Sequence, residues 1–299
     1  MIHLVILFVI TLLTGVSTSL AAARLELSLI APKGEFALGE PVSLRVRLTN
    51  TGDEPIQVPR NLEPEFGALT YHIAGPVTKQ FSPWAIKEPT EPFTTLKSSE
   101  TIDQEVDLFY GGNGWTFREP GVYEITARYA EAAISSPLSI TVRKPADETE
   151  HDAATRLLAS DQAGRFLLFR GGEHLHEGIA VLEAVAQNAP QSPQAAYANV
   201  ALGISQLRAA RNFAQGTVRP ANPRVAAEKL NKVQDQILPL GWMVEAKLGL
   251  AKALRDTNRD EKAREIESQL PNMVLQRFPD FNPTLLRETV MPNIRGKLQ

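Results

Sequence analysis

The run Gly39-Glu40-Pro41-Val42-Ser43-Leu44-Arg45-Val46-Arg47-Leu48-Thr49-Asn50 decides the fold of the first half of the chain. After the Gly39-Glu40-Pro41 breaker, Val42, Leu44, Val46 and Leu48 fall on one side of an extended backbone. Ser43, Arg45, Arg47 and Thr49 fall on the other. A period of two marks a strand with one face in an apolar core. Asn50-Thr51-Gly52-Asp53 closes it with residues suited to a turn. Upstream, Leu25, Leu27 and Leu29 alternate with Glu26 and Ser28, and Pro32-Lys33-Gly34 makes the next turn. Downstream, residues 56–58, 69–73, 101–110, 122–130 and 138–142 repeat the pattern, broken at Gly75-Pro76. Short alternating strands separated by turn signals predict a β-sandwich over residues 24–144.

Arg143-Lys144-Pro145-Ala146-Asp147-Glu148 reads as the linker. Beyond it β-branched residues thin out and Ala, Leu, Glu, Gln and Lys rise, which predicts helices over residues 145–299. Ser192-Pro193 and Asn222-Pro223 each place a capping side chain before a first-turn proline. Asn258 with Glu261 reads as a capping box with Asn in the leading position. Ala226, Leu230, Val233 and Ile237 form one helical stripe, and Met243, Ala246, Leu250 and Ala253 form another. The expected architecture is therefore multidomain, all-β followed by all-α.

Two local patterns carry resemblances. Glu119-Pro120-Gly121-Val122-Tyr123-Glu124-Ile125 resembles the Pro-Gly-x-Tyr opening of a late strand in immunoglobulin-like and fibronectin-like domains. The resemblance implies that Tyr123 is a structural corner, its hydroxyl bonding back to the preceding backbone. The chain has no cysteine, so the likeness is to the wider sandwich class. Ala201-Leu202-Gly203-Ile204 and Lys247-Leu248-Gly249-Leu250 echo each other within alanine-rich segments. They resemble the first helices of tetratricopeptide hairpins, at a longer spacing than that repeat has. That implies close helix approach at Gly203 and Gly249, small contact residues at Ala227 and Ala263, and proline-bearing turns at Pro239 and Pro271. Hairpins fall near residues 150–190, 192–238 and 240–275. A plain helical bundle is the alternative.

Residues 2–13 are nearly all apolar, followed by small and polar residues and then Ala21-Ala22-Ala23. This predicts a signal peptide over residues 1–23 with Arg24 as the mature start, and a secreted or periplasmic protein. An uncleaved anchor is the alternative, although the run is shorter than the roughly 20 residues that span a bilayer. No later run is long enough for a membrane span. Without cysteine there is neither lipid attachment nor a disulfide. A formal net charge of -3 supplies no basic field for nucleic acid.

Catalytic signatures are missing. There is no His-Glu-x-x-His run, and Gly203-Ile204-Ser205-Gln206-Leu207 lacks the second glycine of a nucleophile elbow. Gly111-Gly112-Asn113-Gly114 lacks the Lys-Ser/Thr ending of a phosphate loop, and Asp103 with Asp107 has no context to separate two carboxyl pKa values. Glu173-His174-Leu175-His176-Glu177 offers two histidines but no third ligand, so a solvated helix start competes with a metal site. No catalytic, cofactor or metal residue is expected. Trp84 and Phe93, on a proline-rich stretch, and Trp115 form the candidate binding surface. The alternative is that these rings cap the core or dock on the helices. The expected function is that of an exported, non-enzymatic binding or scaffold protein, its helices presenting a concave surface to a protein or peptide. Two other readings stand beside it. One is a hydrolase or hydrolase accessory with its site between the domains, which predicts a buried His174 or His176 beside a carboxylate. The other is a sugar-binding sandwich, which predicts Trp84 and Trp115 exposed and coplanar.

Overall fold

Two-residue alternation becomes two facing sheets. The computed structural model describes residues 24–90, 92–212, 216–234 and 237–298; the leader read over residues 1–23 lies outside them. One sheet holds β1 (Leu25–Ile30), β3 (Ser43–Asn50) and β8 (Thr101–Asp107), in the order β1-β3-β8 and antiparallel throughout. The other is built on β11 (Gly121–Tyr129), flanked by β13 (Leu138–Arg143) and β5 (Thr70–Ala74). β2 (Glu35–Ala37) adds to β13 in parallel, β6 (Lys79–Gln80) to β5, and β12 (Ala133–Ile134) to β11. β4 (Ile56–Pro59) and β7 (Phe93–Leu96) form a side ribbon. Leu44, Val46 and Leu48 of β3 meet Tyr71, Ile73, Ile125 and Ile140 of the other sheet in a single apolar core. This is an immunoglobulin-like sandwich held by packing alone. Tyr123 is buried and its hydroxyl donates to the Glu119 carbonyl at 2.8 Å, pinning the corner where β11 begins.

Residues 101–110 do not form one strand. β8 ends at Asp107, and the chain turns outward into the hairpin of β9 (Tyr110–Gly111) and β10 (Gly114–Trp115). Phe109, Tyr110 and Trp115 therefore pack into the helical core rather than the sandwich core. The linker is short and tied down. Asp147 caps α1 (Glu148–Ala159) by accepting from the Glu150 N–H, while Glu150 takes both guanidinium nitrogens of Arg143 at 2.6 and 2.7 Å.

The helices α2 (Asp161–Phe169), α3 (His176–Asn188), α4 (Pro193–Ser205), α5 (Pro223–Asn231), α6 (Leu240–Arg255) and α7 (Asp260–Arg277) pack each against the next. α4 also touches both α2 and α6, so the first helices of successive pairs lie side by side. The chain closes with α8 (Pro283–Leu285), a π-turn (Leu286–Val290) and α9 (Met291–Leu298), which packs on α6. Ser192 and Asn222 cap α4 and α5 through the N–H groups of Ala195 and Val225. Crossings are tight at both Leu-Gly pairs. A methyl on Gly203 would meet Leu230 Cγ at 2.6 Å, and one on Gly249 would meet Ile204 Cδ1 at 2.5 Å. Ala227 and Ala263 are buried contact residues.

The second half is helical, with one short hairpin in the α4–α5 connection, where Ala210–Asn212 (β14) and Thr217–Arg219 (β15) pair. Three expectations change. Asn258 does not cap α7: it takes a left-handed φ of 58° beyond the end of α6, and Arg259 precedes α7 with no side-chain cap. Asn tolerates that conformation better than most residues, so it terminates one helix instead of starting another. Pro271 lies inside α7 rather than in a turn after it. Finally, α5 stops at Asn231, so Val233 and Ile237 reach the core from beyond the helix.

Candidate functional site

The polar face of β3 and β8 is covered by the helices. Register places Ser43 opposite Asp107, Arg45 opposite Glu105 and Arg47 opposite Asp103, so six polar side chains share one surface. Ser43 is fully buried and the Arg45 side chain is only 11% exposed. The first turn of α6 and the end of α2 close over Asp107 and Glu105, while Asp280 and Phe281 close over Arg45.

Asp107 is the hub. Its Oδ1 accepts from Ser43 Oγ at 2.5 Å and from Trp242 Nε1 at 3.2 Å; its Oδ2 accepts from both terminal nitrogens of Arg170 at 3.2 Å. Arg170 also donates from Nε to Glu245 at 2.9 Å, and its guanidinium lies 3.8 Å from the Trp242 ring centre. Such a fork, stacked on an indole and held between two carboxylates, is the strong form of ion pairing. Arg170 ends α2 in the left-handed region at φ 48°, ψ 42°. The seam holds a non-glycine residue in a conformation that is unfavourable for it.

Glu105 accepts from the Gly241 N–H at 2.8 Å, near the start of α6. Burial nevertheless pushes its carboxyl up to about 7. The Gly241 hydrogen bond works against that rise, Asp107 adds to it, Arg170 opposes it and Glu245 adds again. Beside the network runs a line of ring contacts: Trp84 to Tyr110, Tyr110 to Trp115, Trp115 to Phe109, Phe109 to Trp242 and Trp242 to Tyr197. Their centroids are 4.8–6.4 Å apart.

A cleft of about 450 Å³ opens above this seam. Glu63, Glu65 and Lys87 line its sandwich side; Phe169, Arg208 and Lys297 line its helical side. Burial raises the Glu65 carboxyl as well. On the outer helical surface, a groove of about 590 Å³ runs between α5 and α7 over the end of α6.

The candidate binding residues do not come together on one surface. Trp115 is buried, and its Nε1 donates to the Ser160 carbonyl at 3.2 Å. Its apolar ring is desolvated against the helices while its one polar atom finds a partner, so Trp115 is withdrawn from the binding surface. Trp84 is 40% exposed, with the Arg165 guanidinium 5.1 Å from its ring centre. Phe93 is 58% exposed on β7, where it pairs with Pro59. Trp84 and Trp115 thus form no exposed coplanar platform. His174 and His176 are both exposed, and neither lies buried beside a carboxylate. Among the described residues no group of three or more His, Asp or Glu is placed to hold a metal, and no helix is long and apolar enough to cross a membrane. One side of the helical array is covered by the sandwich. Gln194 of α4 donates to the Leu38 carbonyl at 2.7 Å, and α2 and α6 hold the β8 carboxylates.

Glu105, Asp107, Arg170, Trp242 and Glu245 were not singled out from the sequence as a group. The alternation Asp103, Glu105, Asp107 was the available signal: three acids on one face, facing a strand that carries Arg45 and Arg47 on the same side.

No protein-family model matches the chain, and no curated protein matches it. Solved structures give partial likenesses. A β-glucosidase from Listeria innocua in complex with glucose is 15% identical, with 41% of this chain and 16% of that one covered at a TM-score of 0.27. A β-glucosidase from Erythrobacter marinus is 18% identical, with 40% and 15% covered at a TM-score of 0.27. A CARDB domain from Pyrococcus furiosus in complex with di-metal ions is 14% identical, with 42% of this chain and 99% of that one covered at a TM-score of 0.27. The chain thus spans only 15–16% of the length of those two glucosidases. At this identity and TM-score the likenesses carry nothing about activity.

Proposed function

We propose that the chain is an exported, non-enzymatic binding or scaffold protein whose helical half supplies the surface for a protein or peptide partner. One contrast supports this reading. At the seam Arg170 is hydrogen-bonded to Asp107 and Glu245, and Glu105 to the Gly241 N–H, whereas the outer helical face keeps an open groove of about 590 Å³ on α5, α6 and α7. The pairs α2–α3, α4–α5 and α6–α7, with glycines at two crossings, resemble tetratricopeptide hairpins. Stacked helical pairs of that kind present extended surfaces to partners. In this reading the sandwich is a fixed spacer that covers one side of the helices, and the outer face does the binding. The test uses residues 24–299 as bait on the envelope fraction, wild type against Ile266→Glu. A partner captured by the first and lost by the second supports the reading; no saturable partner for either refutes it.

One observation favours a second reading. Glu105 holds its proton up to about pH 7 next to Asp107 in a cleft, as a general acid would. A hydrolase reading predicts turnover on some member of an ester, glycoside and peptide panel that Glu105→Gln abolishes. Turnover unchanged in that variant removes Glu105 from the chemistry.

A further inference from the structure

We propose that the α5–α7 groove takes an acidic, aliphatic-rich segment of a partner protein, an assignment that rests on the binding reading above. Helical periodicity builds the groove. Arg224, Ala227, Glu228, Asn231 and Lys232 lie on one face of α5; Lys262, Glu265, Ile266 and Gln269 lie on one face of α7. Leu250 and Leu254 of α6 form the floor with Ala227 and Ile266. At about 1.5 Å per residue, the α5 wall from Arg224 to Lys232 is about 12 Å long, enough for a few extended residues of a partner.

The groove carries net positive charge in a chain whose formal net charge is -3. Its acids are already engaged: Glu228 holds Lys232 at 2.8 Å, and Glu265 accepts from the Gln269 amide at 3.2 Å. Arg224 and Lys262 have no ion-pair partner among the described residues, and the Arg259 side chain donates only to the Thr257 hydroxyl, at 3.3 Å. All three cations are exposed. The neighbouring acids do not cancel them. Asp260 is 4.0 Å from Arg255, and neither Asp260 nor Glu261 lines the groove. Unpaired cations around an aliphatic floor complement carboxylates that flank Leu, Ile or Val. A basic segment would place like charges against them.

The experiment is fluorescence anisotropy with residues 24–299 and a fluorescein-labelled peptide alternating Glu and Leu, its Lys–Leu counterpart serving as control. The expected result is saturable binding of the acidic peptide that weakens as salt rises. Arg224→Glu with Lys262→Glu should weaken it by about tenfold or more. Both sites are exposed, and Lys262→Gln gives a milder second variant expected to show a smaller loss. Equal binding of the Lys–Leu peptide, or no loss in the charge-reversed variant, overturns the assignment. If an envelope partner is captured equally by wild type and the charge-reversed chain, the groove is wrong and the binding reading survives. If neither captures one, both fall.

Discussion

Glu105 binds its proton more tightly in the folded chain than in the unfolded one, and that difference makes stability depend on pH in a stated direction. Its ordinary value is 4.5, and burial at the seam raises it to about 7. Between those values the folded chain keeps the proton and the unfolded chain releases it. The contribution to stability is therefore complete below 4.5, declines as pH rises, and is gone once pH passes the folded value. At about 1.4 kcal/mol for each tenfold difference in proton affinity, the full effect approaches about 3 kcal/mol. Glu105 is half-buried and lines the cleft, so partial hydration brings the expected figure to about 1–2 kcal/mol. Glu105→Gln removes the ionisation yet keeps a carbonyl oxygen to accept from Gly241. Urea unfolding followed by tryptophan fluorescence reads the result, since Trp115 and Trp242 are both buried at the seam. Near pH 5 the two proteins should unfold alike; near pH 8 the variant should be more stable by about 1–2 kcal/mol. Stability curves that stay parallel across this range would refute the assignment of the shift to Glu105.

Arg170→Ala strands Asp107 and Glu245 without their shared cation and should cost about 3 kcal/mol, with faster proteolysis in the linker around residues 144–147 as the second readout. Gly178→Ala drives a methyl into the Gln162 backbone, where α3 meets α2. Differential scanning calorimetry should show a thermal midpoint several degrees lower, for a cost of about 1–3 kcal/mol. Tyr123→Phe loses the hydrogen bond to Glu119 and should cost about 1 kcal/mol in chemical denaturation, with no change in peptide binding.

The strands of the sandwich were legible because each buries one face, and a buried face imposes a period of two that a single sequence displays. Val42 to Leu48 gave both the strand and its core side. The same pattern cannot say what covers the opposite side, since Ser43, Arg45 and Arg47 would alternate identically against water or against a second domain. That ambiguity hid the seam and its carboxylates, whose partners lie far away along the chain at Arg170, Gly241 and Trp242. Ser192 and Asn222 were readable as caps because the contact is local; Asn258 failed because asparagine suits a helix end in the left-handed region as well as a helix start. Trp115 was misplaced for a related reason. A tryptophan in a glycine-rich turn looks the same from sequence whether it faces solvent or, as here, packs against Ser160 and the helices.

Photo-crosslinking in intact cells tests the central proposal most directly, that a partner is met by the outer helical groove and not by the seam or the sandwich. A benzophenone amino acid is placed at Gln269 in the groove, at Phe169 at the cleft mouth, and at Val122 on the sandwich. The account predicts one discrete adduct from position 269, lost when Arg224 and Lys262 are reversed to Glu, and none from the other two positions. Adducts from Phe169 or Val122 with none from position 269 would contradict it.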